Sequence, residues 1–146
     1  MSANQILLVI SILLMLVLFF LTARRNKRKK QIHYSVMVIV ISLMIWNLSV
    51  LNYITFPGVP WVLALSEKMY FIGIIFASLG TLFTGLIFAQ TRIRFSWKHA
   101  LLLVVPAVSL IFLFTNPYHH FFYATFSLIP SEQDFGVYFF IHTIYS

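Results

Sequence analysis

Cysteine is absent from this chain of 146 residues, and only three residues are acidic, against ten Lys and Arg. Without thiols there is no disulfide framework and no thiolate metal site. With so few carboxylates there is no pair of them placed for general acid and base work. No nucleophile accompanied by a base and no metal-ligand spacing stands out either, so a membrane enzyme ranks behind other readings. Charge of any kind is scarce, at 9 % of residues. The polar residues fall in short gaps between apolar runs, which leaves no soluble domain of ordinary size. What is present is hydrophobic: 61 % of residues and a mean hydropathy of +0.95, well above the roughly half-apolar composition of soluble domains. This composition describes an integral membrane chain. The net charge of +7 is gathered beside apolar runs, where it meets anionic lipid head groups and sets topology, and no nucleic-acid partner is expected.

Ile6 to Thr22 is an apolar run of about one bilayer's length. Met1 to Gln5 is uncharged and the positive charges follow the run, the reverse of a cleaved secretory signal, so the helix is expected to be retained. Arg24, Arg25, Lys27, Arg28, Lys29 and Lys30 then form a basic cluster. By the positive-inside rule they lie in the cytoplasm, with the N-terminus outside. Tyr34 to about Tyr53 reads as a second span, in which Asn47 and Asn52 are expected to hydrogen-bond across the bundle. Pro57, Gly58 and Pro60 break it, and Trp61 stands where an interfacial anchor belongs. A third span runs to about Gln90, and its Gly73, Ala77, Thr81 and Gly85 fall four apart, a spacing that lets helix backbones approach. Arg92, Arg94 and Lys98 make a second basic loop, again cytoplasmic, and Ser96 is a candidate cap for the fourth helix. That helix is expected to kink at Pro106 and to end near Thr115. A loop through Glu132 and Asp134 leads to a fifth apolar segment from Val137, and the sequence stops about halfway through a membrane-spanning length. The expected fold is an all-α membrane protein: a polytopic helical bundle of four complete transmembrane helices plus the start of a fifth, reading as cut short. Residues 1–146 form one incomplete membrane domain on this reading, with helices about 5–23, 33–54, 62–90, 97–115 and 137–146.

This topology gathers Glu67, Lys68, Tyr70, Asn116, His119 and His120 toward the outer face, where they are the candidate ligand-binding residues. A carboxylate near the membrane boundary is tolerated most easily beside a cation, which Lys68 or a histidine supplies. Adjacent histidines do not share a helical face, so neither a metal nor a cofactor is expected. A response to acid has a better basis, because histidine changes charge near neutral pH. His142, about two turns into the fifth segment, is expected to make an interhelical hydrogen bond, while His33 and His99 lie beside the basic loops.

Three blocks carry a resemblance: EKMYFIGI at Glu67 to Ile74, TNPYHHFFY at Thr115 to Tyr123, and FGVYFFIHTIYS at Phe135 to Ser146. In this order among the spans, they resemble the seven-helix N-terminal membrane region of bacterial histidine kinases, which is similar to regions ahead of some diguanylate cyclases. The resemblance implies a sensory input domain in a bacterial plasma membrane that detects an extracytoplasmic or membrane signal. It implies a homodimer, a small ligand of unknown identity, surrounding membrane lipids and a cytoplasmic output module as partners. The chain itself has no phosphoacceptor histidine helix and no nucleotide-binding motif. The competing class is part of a small-solute transporter or an accessory membrane subunit. Transporters place charge near the bilayer midplane, and these spans carry amides and hydroxyls there.

Overall fold

Serine recurs every seventh residue along the second apolar run, at Ser35, Ser42 and Ser49, and a matching series of small residues, Ser66, Gly73 and Gly80, follows along the third. In the computed structural model these two series face each other. The structure describes residues 2–24, 30–90, 97, 102–128 and 132–145, which divide into two compact units, Met1–Ile93 and Arg94–Ser146. Among the described residues there are five helices and two short strands: α1 Ala3–Arg24, α2 Lys30–Thr55, α3 Pro60–Gln90, α4 Val104–His119, β1 Tyr123–Thr125, β2 Asp134–Phe135 and α5 Val137–Tyr145.

In the first unit α2 and α3 form the main packing pair, and α1 packs on α2. All six members of the serine and glycine series are buried. A Cβ added to Gly73 would come within 2.8 Å of Trp46 Cβ and 2.9 Å of the Ser42 carbonyl, and one on Gly80 within 2.7 Å of Ile39 Cγ1. Ser35 Oγ lies 2.9 Å from the Gly80 carbonyl oxygen and 2.9 Å from Thr84 Oγ1. The register is therefore antiparallel, Ser35 beside Gly80 and Ser42 beside Gly73, and its continuation sets Ser49 against Ser66. A seven-residue repeat keeps one face of each helix on the seam. Small residues on that seam let the backbones approach, which is how helices associate where surrounding lipid is as apolar as the side chains. Phe71 and Ile75, each 1 % exposed, fill the space beside it.

Local signals set the ends. Ser2 and Gln5 form a reciprocal cap on α1, Gln5 N–H donating to Ser2 Oγ and Ser2 N–H to Gln5 Oε1. Pro60 occupies the first position of α3, where a missing N–H costs nothing. Arg24 closes α1, and the rest of the basic cluster up to Lys29 lies outside the described residues. No residue of α1 is buried. Between α1 and α2 runs a wholly apolar groove of about 280 Å³, lined by Ile12, Leu16 and Phe20 on one side and Ile41, Ile45 and Leu48 on the other. The first three helices are each long and apolar enough to cross a membrane, and α4 is a shorter apolar helix. The molecule is a multi-pass helical membrane region.

Several sequence expectations change. Asn47 does not bond across the bundle: its Nδ2 donates to the Leu43 carbonyl of its own helix at 2.8 Å, one turn away, and Ser35 makes the interhelical bond instead. Of the four-residue stripe, Gly73 enters the α2–α3 seam and Ala77 is half-buried, whereas Thr81 and Gly85 are exposed, with nothing within 4 Å of a Cβ built on Gly85. Pro106 is the third residue of α4 and so lies in its first turn, where no intrahelical N–H bond is due and no kink follows. Ser96, Arg92, Arg94 and Lys98 lie outside the described residues.

Candidate functional site

The second unit is built around the end of α4. The helix continues one turn past Thr115, through Asn116-Pro117-Tyr118-His119, and stops at His120, whose backbone is left-handed at φ 54° and ψ 25°. A left-handed residue is a common helix terminator, and here the His120 N–H closes on the Asn116 carbonyl at 2.8 Å. This reversal carries the chain back over the Asn116 side chain. Asn116 Oδ1 accepts from the N–H groups of Phe122 at 2.9 Å and Tyr123 at 3.2 Å, and its Nδ2 donates to the Tyr123 carbonyl at 2.8 Å. Asn116 and Phe122 are fully buried and Tyr123 nearly so.

Tyr123 opens β1, which pairs antiparallel with β2. Gly136 N–H then donates to the Phe122 carbonyl at 3.0 Å, and Tyr138 N–H to the Phe121 carbonyl at 2.9 Å. One hairpin is thus bonded on one side to α4 through Asn116 and on the other to the start of α5. A Cβ on Gly136 would collide with the Phe121 carbonyl, so this junction requires glycine for close approach. Within the hairpin, Ser127 Oγ donates to Glu132 Oε2 at 3.1 Å and Ser127 N–H to Gln133 Oε1 at 2.9 Å.

Aromatic rings cover this knot. Phe112 packs on Tyr138 with centroids 4.4 Å apart and edge-on to His119 at 5.4 Å, and Phe135 stacks on Phe139 at 4.0 Å. Deeper between α4 and α5, Ser109 Oγ donates to the Val105 carbonyl at 2.7 Å and so accepts from His142 Nδ1 at 3.1 Å. This is the interhelical hydrogen bond expected of His142. Tyr138 hydroxyl adds a long contact to Ser109 at 3.4 Å.

The sequence candidates divide between the two units. Glu67, Lys68 and Tyr70 lie half-buried on α3 in the first, and each has an interaction partner. Tyr70 packs edge-on against Trp46 at 5.9 Å. Asn116, His119 and His120 lie in the second, within one turn of one another. Their roles differ: Asn116 is committed to the backbone of its own hairpin, His119 is half-buried among rings, and His120 is exposed. Sequence reasoning placed Asn116 to His119 in a loop and missed the hairpin. The available signal was Asn116, since an asparagine near a helix end bonds nearby backbone through its side chain, whereas Pro117 lies inside the helix and marks no turn. Among the described residues, no three His, Asp or Glu side chains are grouped so as to hold a metal ion.

A family model described as the N-terminal 7TM region of histidine kinase matches residues 6–146, nearly the whole chain. The chain belongs to this family. It is therefore a membrane sensory input domain of a signalling protein, and the residues matched lie within that sensor region. Neither a curated protein nor a solved structure matches the chain. Where α4 gives way to the hairpin, the Asn116 side chain alone makes three hydrogen bonds to the backbone of Phe122 and Tyr123, six and seven residues on.

Proposed function

We propose that this region is the input domain of a bacterial histidine kinase and that its hairpin, from Phe121 to Gly136, receives an extracytoplasmic signal. The observation that carries the reading is the double attachment of the hairpin. Asn116 bonds it to the last turn of α4, and the Phe121 carbonyl, accepting from Tyr138 N–H, bonds it to the first turn of α5. A molecule that displaces the hairpin therefore pulls on two helices at once. Helix shifts of about 1–2 Å are a common currency of such switches. On this reading the bundle has four complete spans and the start of a fifth, with its N-terminus outside in the plasma membrane. The basic residues from Arg24 to Lys30 and from Arg92 to Lys98 lie in the cytoplasm. The functional unit is a homodimer in contact with membrane lipids, and a cytoplasmic output module reads the helix shift.

Two experiments test the reading. Replacing Asn116→Ala in the histidine kinase that carries this region releases the hairpin from α4, and autophosphorylation in membrane vesicles is expected to shift from its basal level. A variant that inserts and folds as wild type does, and whose phosphorylation equals that of the wild type both without and with stimulus, contradicts the role of the hairpin. Because the chain has no cysteine of its own, an Asn26→Cys variant labelled with a membrane-impermeant maleimide reports orientation cleanly. Labelling from outside intact cells would overturn the assigned topology.

A further inference from the structure

His119 is held on both ring nitrogens. Phe121 N–H donates to Nδ1 at 3.0 Å, so Nδ1 carries no proton. Nε2 lies 2.8 Å from Thr115 Oγ1, whose own proton is directed to the Ile111 carbonyl at 2.7 Å. That hydroxyl is left to accept, and the ring must donate to it from Nε2. The three bonds close only with a neutral imidazole protonated at Nε2. The ring is pinned as well as bonded, stacked on Phe121 with centroids 4.7 Å apart and met edge-on by Phe112. Phe121 in turn supplies the carbonyl that bonds the first turn of α5 and stands one residue before the Asn116 clamp.

We propose that His119 is an acid-sensitive latch on the hairpin: protonation at Nδ1 sets two N–H donors against each other and releases Phe121 from the end of α4. The titratable groups on the elements around it are Tyr118 and His120 on its own turn, Tyr123, Glu132 and Asp134 on the hairpin, and Tyr138 and His142 on α5. His120 does not share the role. Its side chain is exposed, and its backbone, not its ring, ends the helix. The latch is a matter of hydrogen bonding within this unit and stands whether or not the hairpin also receives a ligand.

The test is nitrogen-15 NMR of the whole chain in lipid nanodiscs, following the histidine rings and the Phe121 amide from neutral to acidic pH. While the Phe121 amide is bonded to it, His119 is expected in the Nε2–H form, with Nδ1 unprotonated. As the ring takes up its second proton, hydrogen-exchange protection at Phe121 is expected to fall roughly five- to tenfold, the loss of about one hydrogen bond, with the same midpoint as the ring. His119→Gln is expected to abolish that acid dependence and His120→Gln to preserve it. An Nδ1–H tautomer in the wild-type chain overturns the proposal even if the glutamine variants fail to fold. So does protection at Phe121 that stays constant while the His119 ring titrates. A ligand-driven hairpin with an acid-insensitive Phe121 amide would sink the latch alone and leave the signalling role of the hairpin intact.

Discussion

Gly73 and Gly85 stand on the same helix, and replacing each by alanine separates packing from helix propensity. Both substitutions gain the same intrinsic preference, about 1 kcal/mol for alanine over glycine in a helix interior. Only one meets an obstacle. A Cβ on Gly73 falls 2.8 Å from Trp46 Cβ and 2.9 Å from the Ser42 carbonyl, against 3.4–4 Å for ordinary contact, whereas one on Gly85 meets nothing within 4 Å. The Ser42 oxygen is backbone and Trp46 Cβ is fixed to it, so α2 and α3 must separate by several tenths of an ångström. Overpacking of this kind costs about 1–3 kcal/mol. The seam runs through Ser35, Ser42 and Ser49, so the loss is shared along its length. Gly85→Ala should therefore match or exceed the wild type. Gly73→Ala should fall below Gly85→Ala by about 1–3 kcal/mol, since the propensity gain cancels in the comparison. Unfolding in mixed micelles by titration with a denaturing detergent, followed by circular dichroism, measures the difference. If the two variants unfold together, or if Gly73→Ala is the more stable, the α2–α3 register given above is wrong.

Other outcomes follow from the hairpin. Asn116→Ala leaves the N–H groups of Phe122 and Tyr123 buried without their acceptor and should cost about 1–3 kcal/mol in the same unfolding assay. Asn116→Asp keeps the acceptor but loses the donor to the Tyr123 carbonyl and buries a charge, so it should be no more stable than the alanine variant. Gly136→Ala drives a methyl group into the Phe121 backbone carbonyl. Hydrogen exchange at Tyr138, whose N–H bonds that carbonyl, should rise while exchange in α2 and α3 stays unchanged.

The spans were legible because twenty or so apolar residues have few alternatives to crossing a bilayer, and proline and glycine punctuate them. The seam between α2 and α3 was also written in the sequence, at a spacing of seven rather than four. The four-residue series from Gly73 to Gly85 follows the helix surface off the interface, while Ser66, Gly73 and Gly80 stay on it because packed helices share a seven-residue repeat. Asn47 illustrates a different limit. An amide in a span must bond something, but composition does not say whether the carbonyl lies on a neighbour or four residues back, and here it is Leu43. At the end of α4, the density of polar and aromatic residues marked the right place for a site, yet the hairpin was hidden. Its strands are two and three residues long, too short for an alternating pattern, and they are held by Asn116 and Gly136 through contacts that depend on the His120 reversal. His119 and His120 look equivalent in sequence, and only the backbone turn between them gives one a bonded ring and the other an exposed one.

The central proposal is that the hairpin joining α4 to α5 governs the output of the signalling protein, proposed above to be a histidine kinase. Thr125 and Asp134 are cross-strand partners, both exposed, in a region with no cysteine of its own. The register shifts between Tyr123 and Thr125, and cross-strand partners of a regular antiparallel ladder stand about 4.5–5.5 Å apart at Cα, against the roughly 4.4–6.8 Å that a disulfide spans. Autophosphorylation of the kinase carrying Thr125→Cys and Asp134→Cys should be measured in vesicles before and after oxidation, and again after reduction. Locking the hairpin is expected to abolish the response to stimulus, and reduction of the same sample to restore it. A cross-link that forms fully while stimulated phosphorylation stays the same in oxidised and reduced protein would contradict the account.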